Sequence, residues 1–305
     1  MENITAKTEF IILGLSDNPQ LQFPLFLVFL LIYLITLLGN LVIFTVICAD
    51  PRLHTPMYFF LSNLSLTDIC CTSTVTPKLL EIFLSGNKII SYAGCMVQLY
   101  FLISFALIDA FLLTAMAYDR YVAVCDPLHY SLIMNQRACV QLMATSWIMG
   151  NLVSGTILIS VTRLSFCASN VINHIFCELM PLLKLSCTDT AGTEIQLFVE
   201  AALISVPAFL VTLISYIYII SAILRIRSAE GKSRAFSTCT SHLTVVSIYY
   251  LSIFSIYLRP TSTYSQEQGK ILSVVYTAVT PMLNPIIYSL RNKEVKNALR
   301  KLIGK

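Results

Sequence analysis

The stretch Ala115-Met-Ala-Tyr-Asp-Arg-Tyr-Val-Ala-Val-Cys-Asp-Pro-Leu-His-Tyr130 sits where the third of seven apolar runs meets the loop that follows it. Asp119 and Arg120 are adjacent charges at the end of a long apolar segment. Near hydrocarbon such groups are costly unless they are paired or turned toward water or protein. Their placement reads as a polar switch at a membrane face, and the pattern occurs nowhere else in the chain. Outward from it, apolar runs cover residues 23–49, 57–80, 96–121, 140–161, 195–224, 243–258 (with a polar lead-in from Ala235) and 271–290. Each supplies the roughly 20 residues that cross a hydrocarbon core as helix. The sixth run is weakened by Ser237-Thr-Cys-Thr-Ser-His242, and the seventh is cut by Pro281 and Pro285. Of the 305 residues 56% are hydrophobic and 12% charged, with a mean hydropathy of +0.77, too apolar for a soluble core. The expectation is an all-α membrane protein: a seven-transmembrane helix bundle over residues 23–290, an N-terminal arm over 1–22 and a tail over 291–305.

Loop charge sets the orientation. Arg225, Arg227, Lys232 and Arg234 against Glu230 leave +3, and Arg291, Lys293, Lys296, Arg300, Lys301 and Lys305 against Glu294 leave +5. With two neutral loops that side totals +8, and the side holding the N-terminus totals −2. Positive-inside then puts the N-terminus outside and the C-terminus in the cytoplasm. No cleaved signal peptide is expected, because the first twenty residues hold no apolar core followed by a small-residue cleavage site. Asn3-Ile4-Thr5 is a glycosylation sequon in an outward, flexible arm, whereas Asn63-Leu64-Ser65 lies inside the second span. Cys95, Cys167, Cys177 and Cys187 fall on the outer side, where bridges persist, and allow three pairings or a zinc site. The other six cysteines read as free thiols. His54, His129, His174 and His242 are scattered, with no nucleophile–base–orienter set and no phosphate loop, so an enzyme is not expected. The halves show no repeat, which argues against a transporter. Nothing in the chain points to nucleic acid.

Leu53-His-Thr-Pro-Met-Tyr-Phe-Phe-Leu-Ser-Asn-Leu-Ser65, the 116–130 segment, Ser215-Tyr216, Arg234-Ala-Phe-Ser-Thr-Cys-Thr-Ser-His-Leu-Thr244 and Pro281-Met-Leu-Asn-Pro-Ile-Ile-Tyr-Ser-Leu-Arg-Asn-Lys293 together resemble the signatures of the odorant receptors, which are rhodopsin-like G-protein-coupled receptors. The resemblance runs from Gly39-Asn40 to the C-terminal segment. It implies a plasma-membrane receptor for small volatile odorants, coupling to the stimulatory olfactory G protein that raises cyclic AMP, and help from receptor-transport chaperones. It also implies bridges Cys95–Cys177 and Cys167–Cys187 and a short eighth helix on the inner leaflet.

Within that frame the residues suggest a conformational mechanism. Asp119 and Arg120, followed by Tyr121, are read as a local ion pair restrained by Tyr216 and His242, since the inner end of helix six, Gly231-Lys-Ser-Arg-Ala-Phe236, is basic and offers no long-range partner. Asn40, Asp68, Asp109 and Asn284 are intramembrane polar groups that should converge on the interior. The resemblance implies a sodium ion at Asp68; a hydrogen-bonded water network is the other reading, and the short Asp109 reaches less far than the family's usual glutamate. No other cofactor is expected. Pro285 frees a backbone carbonyl one turn earlier, so Asn284-Pro285-Ile-Ile-Tyr288 and Pro281 read as a hinge. Val295, Leu299 and Ile303, with Lys296 and Arg300 alongside, form an amphipathic segment suited to an anionic leaflet.

Counting down helix three from Cys95, the odorant site should use Leu99, Leu102, Ile103, Ala106 and Leu107; helix six adds Ile253, Phe254 and Tyr257 outward of Tyr250, and helix seven adds Tyr276 and Thr277. This lining is apolar with hydroxyls and suits ligands held mainly by burial. Glu200 either faces that pocket or is met by Lys184 of the long loop. Two departures from the family pattern stand out: Leu251 replaces a glycine after Tyr250, which should change pocket volume or the local bend, and Ala110 replaces a common cysteine.

Overall fold

Prolines and short capping side chains mark most helix starts. Asn18 accepts from the Gln20 amide (3.0 Å) ahead of Pro19, Ser91 from Gly94 (3.0 Å) and Asn135 from Ala138 (2.9 Å), each satisfying an amide that lacks an intrahelical partner. The structure is a computed structural model that describes residues 8–16, 18–167, 169–225, 228–257, 266–291 and 293–302. Asn3 and Ile303 lie outside the described residues.

Twelve α-helices are described: α1 Pro19–Ala49, α2 Pro56–Ser85, α3 Tyr92–Cys125, α4 Tyr130–Ile133, α5 Gln136–Thr162, α6 Leu179–Leu183, α7 Ala191–Glu200, α8 Val206–Leu224, α9 Ala229–Tyr257, α10 Gln266–Val274, α11 Thr280–Arg291 and α12 Lys293–Leu302. One π turn, Ala201–Ser205, joins α7 to α8, and another, Val275–Val279, joins α10 to α11. Seven long rods result, in the order the apolar runs predict. Proline explains both π turns: each precedes a proline (Pro207, Pro281) whose ring cannot pack against a regular turn, and widening the turn relieves the clash. Thr280 closes the second by donating its hydroxyl to the Val275 carbonyl (3.0 Å). The seventh rod is thus bulged rather than cut at Pro281.

Five of the rods, Pro19–Ala49, Tyr92–Cys125, Gln136–Thr162, Ala191–Leu224 and Glu267–Tyr288, are long and apolar enough by themselves to cross a membrane. In the sixth only His242–Ser255 is apolar, matching its weak run. The second is weaker than its run suggests. α2 lies between α1 and α3 and buries Ser65, Thr67, Asp68, Thr72 and Thr76 among them, so lipid does not filter its composition. α1 and α8 have the opposite character, with Leu27, Leu31, Leu38, Leu213 and Ile217 turned outward.

α3 is the central rod, in contact with α2, α5, α8 and α9. Gly150 permits the α3–α5 crossing: a Cβ there would lie 2.5 Å from the Ile108 side chain. Ser154 donates to the Tyr100 carbonyl (2.6 Å) and Tyr100 to Asn151 (2.9 Å) across the same seam. At the end that holds Cys95, here the upper end, residues 9–12 are not a flexible arm. Glu9–Ile12 is strand β1, paired antiparallel with β2 (Ile89–Ser91) and parallel with β3 (Val171–Ile172). Phe10 and Ile12 are fully buried beneath this sheet. The long loop is bridged Cys95–Cys177 and Cys167–Cys187, with Cα separations of 5.4 and 5.8 Å. At the lower end α12 buries Val295 and Ala298 and exposes Lys296, Arg300 and Lys301, and Tyr58 donates to Glu294 (2.7 Å), fastening it to α2.

Candidate ligand site and activation switch

The helix-three positions expected to form one lining divide between two. Leu99, Ile103 and Leu107, stacked at i, i+4, pack with Val153 and Ile157 of α5 and with the loop around Cys177. Leu102 instead joins Ile175, Phe176 and Tyr276. Ala106 offers its carbonyl to the Tyr249 hydroxyl of α9. Tyr276 and Thr277 are buried in the π turn, and the Thr277 hydroxyl donates to the Ser273 carbonyl (2.6 Å). Ile253 and Phe254 are partly buried; the Tyr257 side chain lies outside the described residues.

Phe209 completes an aromatic cluster that the sequence reading missed. Its ring meets Phe254 edge-on at 4.9 Å and Tyr250 at 5.1 Å. Its only signal was an aromatic two residues beyond Pro207 in an otherwise aliphatic run. Phe176 was also missed, although it adjoins Cys177 and any bridge from that cysteine brings it over the bundle. Leu251 points outward, 67% exposed, so it adds no volume to the interior; Ala110 is buried. Glu200 is not met by Lys184. It accepts from Thr156 of α5 (2.9 Å) and from Gln196 one turn earlier (2.8 Å), so it turns to the α5 seam rather than to Lys184.

At the lower end the local ion pair is not formed. Asp119 is buried and accepts from the Tyr130 hydroxyl at 2.7 Å; among the described residues Arg120 has no ion pair, and its Nε is buried without a partner. Arg120 lies within electrostatic reach of Tyr216, Cys239, His242 and Tyr288. Beside it Tyr216 and His242 share a hydrogen bond through Nδ1 with their rings stacked, which ties α8 to α9. Tyr250 approaches Thr114 of α3 (3.4 Å), and Thr212 of α8 donates to the same hydroxyl (3.1 Å). Tyr288 is buried with its hydroxyl unpartnered among the described residues. Tyr121 packs its ring against Tyr118 and Tyr218.

The four intramembrane polar residues do converge. Asn284 donates to Asp68 (2.8 Å), Thr67 donates to Asp109, and Asn40 donates to the Pro281 carbonyl (3.0 Å). That carbonyl lies four residues before Pro285, which has no amide hydrogen to offer it, so Asn40 supplies the missing donor. Gly39 makes the approach possible, because a Cβ there would stand 2.8 Å from the Pro285 ring. Asn40 Oδ1 and Asn284 Oδ1 remain buried acceptors without a donor among the described residues. Orphaned acceptors beside two carboxylates fit a cation or water, although no cluster of three His, Cys, Asp or Glu among the described residues could hold a metal ion.

A family model described as "Olfactory receptor" matches residues 29–305. The chain is 52% identical over 302 residues to olfactory receptor 1L4 of Homo sapiens, covering 99% of this chain and 97% of that one. It is 51% identical over 305 residues to olfactory receptor 5AR1 of Mus musculus (100% and 98% covered) and 51% identical over 302 residues to olfactory receptor 1G1 of Gorilla gorilla gorilla (99% and 96%).

Proposed function

The chain belongs to the olfactory receptor family, a family of receptors and not of enzymes, and on that premise we propose that it is an odorant receptor that raises cyclic AMP through a stimulatory olfactory G protein. It is a multi-pass membrane protein; in this reading it lies in the plasma membrane with its N-terminus outside and its C-terminus in the cytoplasm, and receptor-transport chaperones assist its delivery. A small volatile reaches the aromatic and aliphatic interior between α3, α8, α9 and the seventh rod, around Leu102, Phe209, Phe254 and Tyr276. Its binding favours packings in which α8 and α9 separate at the lower end, and Arg120 becomes available to the G protein. The observation that carries this is the tie beside Arg120: one hydrogen-bonded pair, Tyr216 with His242, joins two rods within electrostatic reach of a cation that has no ion-pair partner among the described residues. A sodium ion or water between Asp68 and Asp109, which Asn40 and Asn284 also face, would hold the resting packing.

The experiment is a cyclic-AMP assay of cells expressing the tagged chain with the olfactory G alpha subunit and transport chaperones, run against a diverse odorant panel. A ligand-dependent rise is expected in the wild type and is expected to vanish in Arg120→Ala at equal surface staining. A response that survives that change would refute the role given to Arg120.

A further inference from the structure

A cavity of about 310 Å³ lies between the turn that follows the N-terminal strand and α10. One wall is the turn that follows β1, residues 13–16, with Asn173 beside it, and Glu267 and Lys270 of α10 complete the lining. The turn is held in place by backbone bonds from Leu13 to the Ile172 carbonyl and from Gly14 to the His174 carbonyl (3.0 Å each), and Gly14 takes the left-handed conformation, φ +83°, that the bend requires.

Lys270 is the anomaly. It is 5% exposed, and an ammonium has three donors, yet its one partner among the described residues is Glu267 Oε1 at 3.2 Å. A buried cation needs more than one contact to offset its lost hydration. The Glu267 side chain is 73% exposed, so water competes for it and it can swing away at little cost. The surface of the cavity is mainly polar. A small carboxylate would give Lys270 its further contacts, and the volume, at the small end of ligand sites (roughly 300–1,000 Å³), limits its chain to a few carbons. Among the described residues, the hydrophobic clusters around Leu102 and Phe254 are aliphatic and aromatic.

We propose that this cavity is a second, outer binding site for small monocarboxylates, with Lys270 as their counter-charge and Glu267 as the intramolecular competitor. The site stands apart from G-protein coupling.

The test uses the purified full chain in lipid nanodiscs at neutral pH, titrated with hexanoate and, as the neutral comparison, hexan-1-ol, with binding read by calorimetry. Saturable hexanoate binding is expected. Lys270→Gln should weaken it by about tenfold or more, Lys270→Arg should keep it within about threefold, and Glu267→Gln should tighten it several-fold, magnitudes typical of one charge-assisted contact. Hexan-1-ol should not displace hexanoate. Equal hexanoate affinity in the wild type and Lys270→Gln overturns the proposal, as does absence of binding in the wild type or displacement by hexan-1-ol. Should Lys270→Gln fail to fold, Glu267→Gln decides, and no tightening there is fatal. The readout involves no G protein, so failure of the cyclic-AMP assay and failure of this titration are separate results.

Discussion

Tyr130 sits half-buried on the one-turn helix α4, and its hydroxyl gives Asp119 a hydrogen bond of 2.7 Å. Burial first, and then the Asp119 carboxylate, hold its phenol above the usual range, so it remains a donor at any physiological pH. Tyr130→Phe leaves a buried carboxylate short of a donor and should cost about 1–3 kcal/mol, seen as a lowered unfolding temperature in detergent. An unchanged melt would mean that Asp119 is held by something else. The reading of Asp119 with Arg120 as a pair rested on adjacency, and helix geometry defeats it: neighbours in sequence point about 100° apart, and it is residues three and four apart that face each other. The sequence named both residues as important and missed the partner, because Tyr130 comes back to Asp119 only through a loop whose path the residues do not declare. The donors to Glu200 were missed for a similar reason. One of its donors, Thr156, belongs to α5, more than forty positions back, and no periodicity within one span reports which neighbour it faces.

Elements show the same division. The seven rods were legible because each hydrophobic run is long, and the α1–seventh-rod contact was half-legible from Gly39-Asn40 and Pro285. Its tightness is now measurable: a Cβ on Gly39 would meet the Pro285 ring at 2.8 and 2.9 Å. Gly39→Ala should therefore force α1 away, weaken the Asn40 bond to the Pro281 carbonyl and cost about 1–3 kcal/mol, the usual penalty of overpacking. Thermal unfolding of the purified variant checks this, and a melt equal to wild type would show that α1 shifts freely. Strand β1 was not legible. Four residues, Glu9–Ile12, carry too little pattern, and their partners, β2 and β3, are as short and lie far along the chain. Its weight in the fold is considerable all the same. Phe10 is fully buried, meets Phe166 edge-on at 5.6 Å and lies beside Tyr92. Phe10→Ala should cost about 3–5 kcal/mol and sharply reduce staining of an N-terminal tag on intact cells. Undiminished staining would mean that the sheet is dispensable to the bundle.

For the whole molecule the question is which packing the ties hold. α9 is fastened to α3 through Tyr249 on the Ala106 carbonyl and Tyr250 near Thr114, both near mid-bundle, and to α8 through Tyr216 and His242 farther down. The lower tie lies within electrostatic reach of Arg120, whose Nε is buried, and in the proposed mechanism this packing is the closed one. An interaction made only in the closed packing contributes its whole net free energy to the closed side of the equilibrium. A hydrogen bond is worth about 1 kcal/mol net, which is roughly a fivefold shift between two packings. Tyr216→Phe keeps the stacked ring and removes only the hydroxyl. Basal cyclic AMP should therefore rise, by up to about fivefold while the open packing is rare. Ligand potency should rise by the same factor, because less binding energy is spent on opening. The two changes have a common origin, so they must move together. A variant with higher potency and unaltered basal activity would place Tyr216 in the ligand site instead, and one with neither change, at equal surface level, would show that the Tyr216–His242 bond does not govern the opening of the bundle.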